Sequence, residues 1–322
     1  MSPAPSDLLV YDVAVVGGGP AGLSAAIWSA RYLHQTVLVD SGDPRNWETR
    51  GVNGYLGLPK ITPAELRGRG RDECRAHGVT LLDTTALAIA TQPDETFVLS
   101  LTGGERISAR RLLLAYGLRD VWPDIPGLTR VYGANAHVCP DCDGYEARGK
   151  KVVVIGNGRR AAGMALNLTT WTDKIIVCTN GKTPDLDGEY CAKLDALNIP
   201  ILTEPIQCVR YVGTAVSCLE LENGMQLDAQ KIFFSLAQYP SDDLGALLGC
   251  DRDDEGHIIV DGQLRTSVEN VYAAGDLIPG PQLAIAAASD GALAALAMHK
   301  SLVPPQRKIE PIISEAEPLD AH

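Results

Sequence analysis

The chain has 322 residues, too many for one simple core and about right for two nucleotide-binding-sized domains in series. Hydrophobic residues make up 45% and charged residues 21%, a globular balance, and the 32 glycines follow no G-X-Y period, which excludes collagen. The net charge of −12 argues against a nucleic-acid or anionic-membrane partner, because both need a basic surface.

From the N-terminus, Met1 to Leu9 has neither a positive start nor a long apolar run, so no secretory signal is read there. Val13 to Ala30 carries no charge, but its four Gly, one Pro and two Ser divide it into a strand and a helix start, and no integral membrane segment is expected. Without a signal, the eight cysteines fit a reducing cytoplasm. Six of them (Cys74, Cys178, Cys191, Cys208, Cys218, Cys250) are isolated and read as buried small hydrophobes. Histidine is sparse and unclustered, so no metal site is expected.

Tyr11 to Val16 is a β-branched run read as a buried parallel strand. It leads into Gly17-Gly-Gly-Pro-Ala-Gly22, a helix of small residues to Arg31, and a second strand, Thr36 to Asp40. Thr96 to Leu101 and Arg106 to Ala115 read as strands around a Gly103-Gly104 turn. A second β–α–β unit begins at Lys150. Its strand Lys151 to Ile155 is followed by a Gly156-Asn-Gly-Arg-Arg-Ala161 turn, a helix to about Trp171 and a strand Lys174 to Cys178. Two dinucleotide-type folds thus start 139 residues apart, an internal repeat at the domain level. Cys218 to Leu227 reads as a hairpin about Asn223-Gly224, Val271 to Asp276 as a last buried strand ending in an acid, and Leu283 to Leu302 as a helix of small residues. The tail from Val303 is rich in Pro and acids and is expected to pack poorly.

In the first unit Gly17 permits the tight turn, Gly19 lets the backbone approach a pyrophosphate, and Gly22 lets helix and strand pack. Asp40 closes the second strand, 23 residues after Gly17, where it can accept from ribose hydroxyls. Between the two units, Cys139-Pro-Asp-Cys142-Asp-Gly puts two sulfurs on one turn. If a helix opens there, Cys139 sits near its N-terminus, where a thiolate is favoured. Asp143 is placed to move the proton of a reacting thiol, whereas Asp141 adds a charge that disfavours a thiolate nearby. Half of a zinc site is the bland alternative, but no second Cys-x-x-Cys and no His pair accompany it.

The first glycine motif, the Cys-x-x-Cys-Asp-Gly before a second Gly-x-Gly-x-x-Ala, and Thr266-Ser-Val-Glu-Asn-Val-Tyr-Ala-Ala-Gly-Asp276 together resemble the low-molecular-weight thioredoxin reductases over nearly the whole chain. The resemblance implies an α/β fold of two Rossmann-like domains. A discontinuous FAD-binding domain would comprise residues 1–118 and 245–322, and residues 119–244 would form the domain carrying the cysteine pair. It also implies a homodimer, a thioredoxin-like or other dithiol protein as partner, and rotation between the domains. Cys142 would meet the flavin, Cys139 would exchange with the partner, and Asp143 would carry the proton. Asp276 would contact the ribityl and pyrophosphate region of FAD; Gln282, in Pro281-Gln282, would reach the flavin ring; and Tyr116, in Ala115-Tyr-Gly117, would bring an aromatic near it.

Departures from the resemblance sharpen the expectation. NADPH-using members carry His-Arg-Arg-x-x-x-Arg after the second strand of the second fold; here that stretch reads Thr179-Asn-Gly-Lys-Thr-Pro-Asp185. A nicotinamide donor is therefore not expected. Gly156, Gly158 and Ala161 are retained, and Arg159 and Arg160 are gained at the turn. This reads either as a leftover fold with solvated arginines or as a pocket for another dinucleotide. The segments Asp40-Ser-Gly-Asp-Pro-Arg-Asn46 and Cys142-Asp-Gly-Tyr-Glu146 resemble the dithiol oxidases, although Arg50-Gly-Val-Asn53 replaces the His-x-x-His of that family. The whole set also resembles the diflavin-linked disulfide oxidoreductases, which implies a second FAD at the 156–161 turn. The expected function is a cytoplasmic FAD-dependent disulfide oxidoreductase that leans to dithiol oxidation. An NADPH-dependent thioredoxin reductase, a ferredoxin-driven one using Arg67, Arg69 and Arg71 as a basic patch, and a flavin-bearing sensor without turnover are the rivals. The bland reading of those arginines is a solvated helix face.

Overall fold

The computed structural model describes residues 8–308; residues 309–322, most of the Pro- and acid-rich tail, lie outside the described residues. Strand β1 (Val10–Val16) runs into helix α1 (Pro20–Arg31) and strand β2 (Thr36–Val39). Helix α2 (Pro63–Ala76) leads to β3 (Thr80–Leu82), then β4 (Ala86–Thr91), β5 (Phe97–Leu101) and β6 (Arg106–Leu114). After β7 (Leu118–Asp120) and the short α3 (Leu128–Val131), the chain enters β8 (Ala136–His137) and a one-turn helix α4 (Pro140–Asp143). The second unit follows as β9 (Val152–Gly156), α5 (Gly158–Leu168), β10 (Ile175–Cys178), α6 (Gly188–Ala196) and β11 (Ile201–Leu202). A small antiparallel meander, β12 (Ile206–Val212), β13 (Ala215–Leu221) and β14 (Gln226–Asp228), precedes β15 (Lys231–Ser235). Last come β16 (Gln238–Pro240), α7 (Leu244–Leu247), β17 (Val271–Ala273) and α8 (Ala284–Leu302).

The strands form two principal sheets. The larger has the order β3-β2-β1-β6-β5-β4, with β17 on the other edge of β6. The second, β11-β10-β9-β15-β8, is parallel throughout. Both central runs, Val-Ala-Val-Val in β1 and Val-Val-Val-Ile in β9, are fully covered, as strands with helices on their faces must be. β7 and β16 pair antiparallel, so the two chain crossings between the principal sheets lie side by side.

Small residues set the helix spacing on the first sheet. A Cβ on Gly22 would run into the carbonyl oxygen of Gly17, and a Cβ on Gly291 into that of Ala21. The first glycine lets α1 sit on its own turn, and the second lets α8 lie directly on α1. Both faces of this sheet are dry, one against α1 and α8, the other around Phe97, Leu99 and Leu112.

The uncharged stretch Val13 to Ala30 is the end of β1 followed by α1, and among the described residues no helix is long and apolar enough to cross a membrane. The second glycine helix stops at Leu168 rather than near Trp171, because residues 169–172 turn back to close on Gly149 and Lys150. Of the six isolated cysteines, Cys74, Cys178 and Cys250 are buried as expected; Cys191, Cys208 and Cys218 are half-buried. The last two lie on the meander, which has a single covered face.

Candidate functional site

The first glycine turn is built as a cradle. Gly17 has φ +112°, and a Cβ there would press on the Ala115 carbonyl and the Tyr116 amide. Gly19, the residue before α1, has nothing within 4 Å of where its Cβ would be, and no side chain caps the helix start. The open side of the turn thus faces uncapped amides at a helix N-terminus, the donor set a pyrophosphate needs. Asp40 follows β2 and leans over Gly18. These residues fit a dinucleotide.

Asp40 is not free of partners. Its Oδ2 accepts from Arg67 and, at 3.0 Å, from Arg71, which also reaches Asp83 at 2.5 Å. Its Oδ1 accepts the Gly42 amide at 3.2 Å and keeps room for a further donor. Arg67, Arg69 and Arg71 therefore form neither a solvated face nor a basic patch: Arg71 is buried, Arg67 turns inward, and Arg69 stays outside with Glu65.

Asp276 and Gln282 are brought together, and a residue not singled out in the sequence joins them. Arg45 donates from Nη1 to Asp276 at 3.0 Å and to Gln282 at 2.8 Å, while its Nε and Nη2 hold Asp120 at 2.6 and 2.7 Å. Gln238 donates to Asp120 and accepts from Gln282, each at 3.0 Å, closing a ring that includes both crossing strands β7 and β16. Burial works against the Arg45 charge, but hydrogen bonds and charge from Asp120, then Asp276, hold its pKa above the usual value. Burial pushes the Asp276 carboxyl up, and Arg45 pulls it back. The Tyr116 backbone borders the glycine turn, whereas its hydroxyl accepts the Gly245 amide at 3.1 Å.

Cys139 and Cys142 are joined as a disulfide, with Cα atoms 5.3 Å apart. Pro140 opens α4, Cys139 occupies the N-cap, and the Cys142 amide points at Cys139 Sγ at 3.1 Å. That donor stabilises a thiolate on Cys139. The Asp141 carboxylate accepts from Asn167 at 2.9 Å. Asp143 lies inward: Asn53 Nδ2 donates to the Cys142 carbonyl at 3.0 Å and lies 3.4 Å from Asp143 Oδ1, and His137 Nδ1 lies 3.2 Å from Asp143 Oδ2. Lys231 Nζ is 3.4 Å from His137 Nε2. Asn53, His137 and Lys231 carry little sequence signal; Asn53 stood out only as the end of a departing four-residue stretch.

The second glycine turn is covered by its own chain. Asn157 accepts from the amides of Gly158 (2.9 Å) and Asp185 (3.0 Å) and donates to the Thr183 carbonyl (2.9 Å), drawing residues 183–185 onto the start of α5. Thr179 is buried and donates to the Lys182 carbonyl. Arg159 is paired with Asp187 at 2.8 Å and Arg160 with Glu255 at 3.0 Å.

Comparison with known proteins agrees with this architecture. Residues 11–291 match the family described as pyridine nucleotide-disulphide oxidoreductase. The chain is 29% identical to thioredoxin reductase tcpT of Claviceps purpurea over 83% of its own length and 86% of that protein's. The crystal structure of a protein titled HlmI superposes with TM-score 0.86 at 30% identity, covering 93% of this chain and 94% of that one. A thioredoxin reductase TrxB structure from Bacillus anthracis gives TM-score 0.83 at 29% identity, covering 90% and 98%.

Proposed function

We propose that this chain, which belongs to the pyridine nucleotide-disulphide oxidoreductase family, oxidises dithiols through Cys139–Cys142 and passes the electrons to FAD on its first glycine turn, without NADPH as donor. At the coarser level it is a thioredoxin reductase-like, flavin-dependent disulfide oxidoreductase. When bound, FAD supplies a two-electron acceptor for the thiolate. The chain's own residues do the rest. A partner thiolate attacks Cys139 Sγ, the Sγ–Sγ bond breaks, and Cys142 leaves as a thiolate. The partner's second thiol then attacks its own sulfur in the mixed disulfide. This displaces the Cys139 thiolate, which the Cys142 amide stabilises, and releases the partner as a disulfide. Cys142 is the electron donor to the flavin, and Asp143 accepts a thiol proton. The partner class is a thioredoxin-like or other dithiol protein, and the homodimer and cytoplasmic setting implied by the resemblance belong to the same reading.

The observation that carries NADPH independence is the loop from Thr179 to Asp185. Where a 2′-phosphate would need guanidiniums it offers one lysine, and an acid stands at its last position. Each lost charge-assisted hydrogen bond costs about 1.5–3 kcal/mol, so two or three losses weaken binding roughly 10²- to 10⁵-fold or more. Calorimetric titration of the FAD-loaded protein with NADPH tests this: no saturation at micromolar NADPH is expected, and a micromolar Kd contradicts it.

The retained Gly156-x-Gly158-x-x-Ala161 turn favours a second FAD there. The loop held by Asn157 and the ion pairs on Arg159 and Arg160 oppose it unless that loop opens. Flavin released by denaturation and counted per chain decides: near two supports a second FAD, near one removes it. A ferredoxin-driven reading loses its support, because two of its three arginines face Asp40.

A further inference from the structure

A dithiol that becomes a disulfide gives up two electrons and two protons, and a bound flavin would supply a sink for both electrons and for one proton. The other must leave a site in which Asp143 lies inward. The polar groups beyond Asp143 are arranged in file. His137 ends the edge strand β8 and is 5% exposed; Lys231 begins β15 and is 8% exposed. Parallel pairing of β8 with β15 sets His137 beside Phe233, and Lys231, two residues earlier on β15, shares that face of the sheet. His137 Nδ1 faces Asp143 Oδ2 at 3.2 Å, and His137 Nε2 faces Lys231 Nζ at 3.4 Å. Phe233 packs on the imidazole with ring centres 5.4 Å apart, an apolar wall that keeps the ring's polar atoms aimed along the file. Lys231 also donates to the Ala134 carbonyl at 2.9 Å, and among the described residues no carboxylate forms an ion pair with it.

All three groups line one cavity of about 160 Å³, with Arg50, Asn53, Lys60 and Glu146, so the file runs along its wall. That volume holds several waters. Among the described residues, Glu146 Oε2 is a buried oxygen without a hydrogen-bond partner, and it lies on this cavity. Burial lowers the Lys231 pKa; Asp143 and Glu146 oppose the shift and Lys150 adds to it.

We propose that His137 and Lys231 extend Asp143 into a proton relay that carries one thiol proton per turnover from the cysteine pair along the wall of this cavity to water beside Glu146. The inference rests on the reading of Cys139–Cys142 as the redox pair. Protonated Asp143 gives its proton to His137 Nδ1, Lys231 gives one of its own protons to water beside Glu146, and the proton on His137 Nε2 replaces it. The next cycle begins when the imidazole returns to its first tautomer. The relay slows as pH falls and Lys231 holds its proton; burial and Lys150 favour the neutral amine, Asp143 and Glu146 favour the ammonium, and Arg50 and Lys60 line the same cavity. Asp143 follows Cys142 in the chain and its amide donates to the Cys139 carbonyl at 3.2 Å; His137 and Lys231 act through it.

The test is a single half-reaction of the FAD-loaded protein with dithiothreitol in weak buffer. Flavin bleaching and proton release are followed together, the latter with an indicator dye. Wild-type protein is expected to release one proton in step with bleaching. His137→Ala is expected to slow both by about 10²-fold, with imidazole in solution restoring rate and proton release. Lys231→Met is expected to change the acid limb of the rate against pH. If wild-type flavin does not bleach, the redox-pair reading itself fails. If it bleaches and His137→Ala matches it, or is slow without imidazole rescue while Lys231→Met keeps the wild-type profile, the relay is overturned and the redox pair stands.

Discussion

Asp40 receives two guanidiniums from successive turns of α2, and this decides what those arginines do. Arg71 is about as buried as the carboxylate, so its removal leaves a charge poorly compensated, although Arg67 still covers it. Arg71→Met is expected to cost about 1–3 kcal/mol, less than the ~3–5 kcal/mol of a fully orphaned buried charge. The urea midpoint checks it, and an unchanged midpoint contradicts it. The arginine spacing was legible in the sequence, but its inward direction was not, since the partner lies 31 residues away. Burial also acts on phenols: Tyr116 and Tyr132 are both pushed up to about 12. The stability from keeping them neutral is complete below pH 10, the ordinary tyrosine value, and is lost as pH rises towards 12. Unfolding midpoints are expected to fall across that window, and to fall less steeply in Tyr116→Phe.

At the scale of elements, the redox turn is held by a contact the motif alone does not reveal. Gly144 has ordinary helical angles, φ −64° and ψ −32°, so its backbone does not require glycine. Space does: a Cβ would lie 2.5 Å from Trp171 Cε3 and Cζ3. Trp171 follows α5, so the last residue of the Cys-x-x-Cys-Asp-Gly stretch sits beneath the second unit. Gly144→Ala is expected to cost about 1–3 kcal/mol by overpacking, and Trp171→Leu to relieve much of it. A double-mutant cycle in urea measures the coupling; additive losses contradict the contact. The β–α–β units and both glycine turns were legible because their signals are local: β-branched runs, fixed glycine spacing, an acid at a strand end. The pairing of β8 with β15, which brings His137 within 3.4 Å of Lys231 across 94 residues, leaves no such mark.

Across the whole molecule, the two sheets meet through a few polar contacts and two paired crossing strands. Arg45 ties Asp120 on one crossing to Asp276 and Gln282, and Asn53 reaches from the first sheet's loops to the redox turn. Composition could exclude partners and motifs could name the chemistry, but neither could show that one arginine spans 231 residues to unite the groups expected beside the flavin. In the proposed chemistry this sulfur pair exchanges electrons with FAD while the second glycine fold does not take up the pyridine nucleotide. The most direct test is flavin absorbance without oxygen, after mixing the loaded protein in turn with NADPH and with a dithiol, beside Cys142→Ser. Prompt bleaching by dithiol, none by micromolar NADPH, and no bleaching by dithiol in Cys142→Ser are expected. Rapid bleaching by micromolar NADPH, or dithiol bleaching that survives the loss of Cys142, would contradict the proposed chemistry.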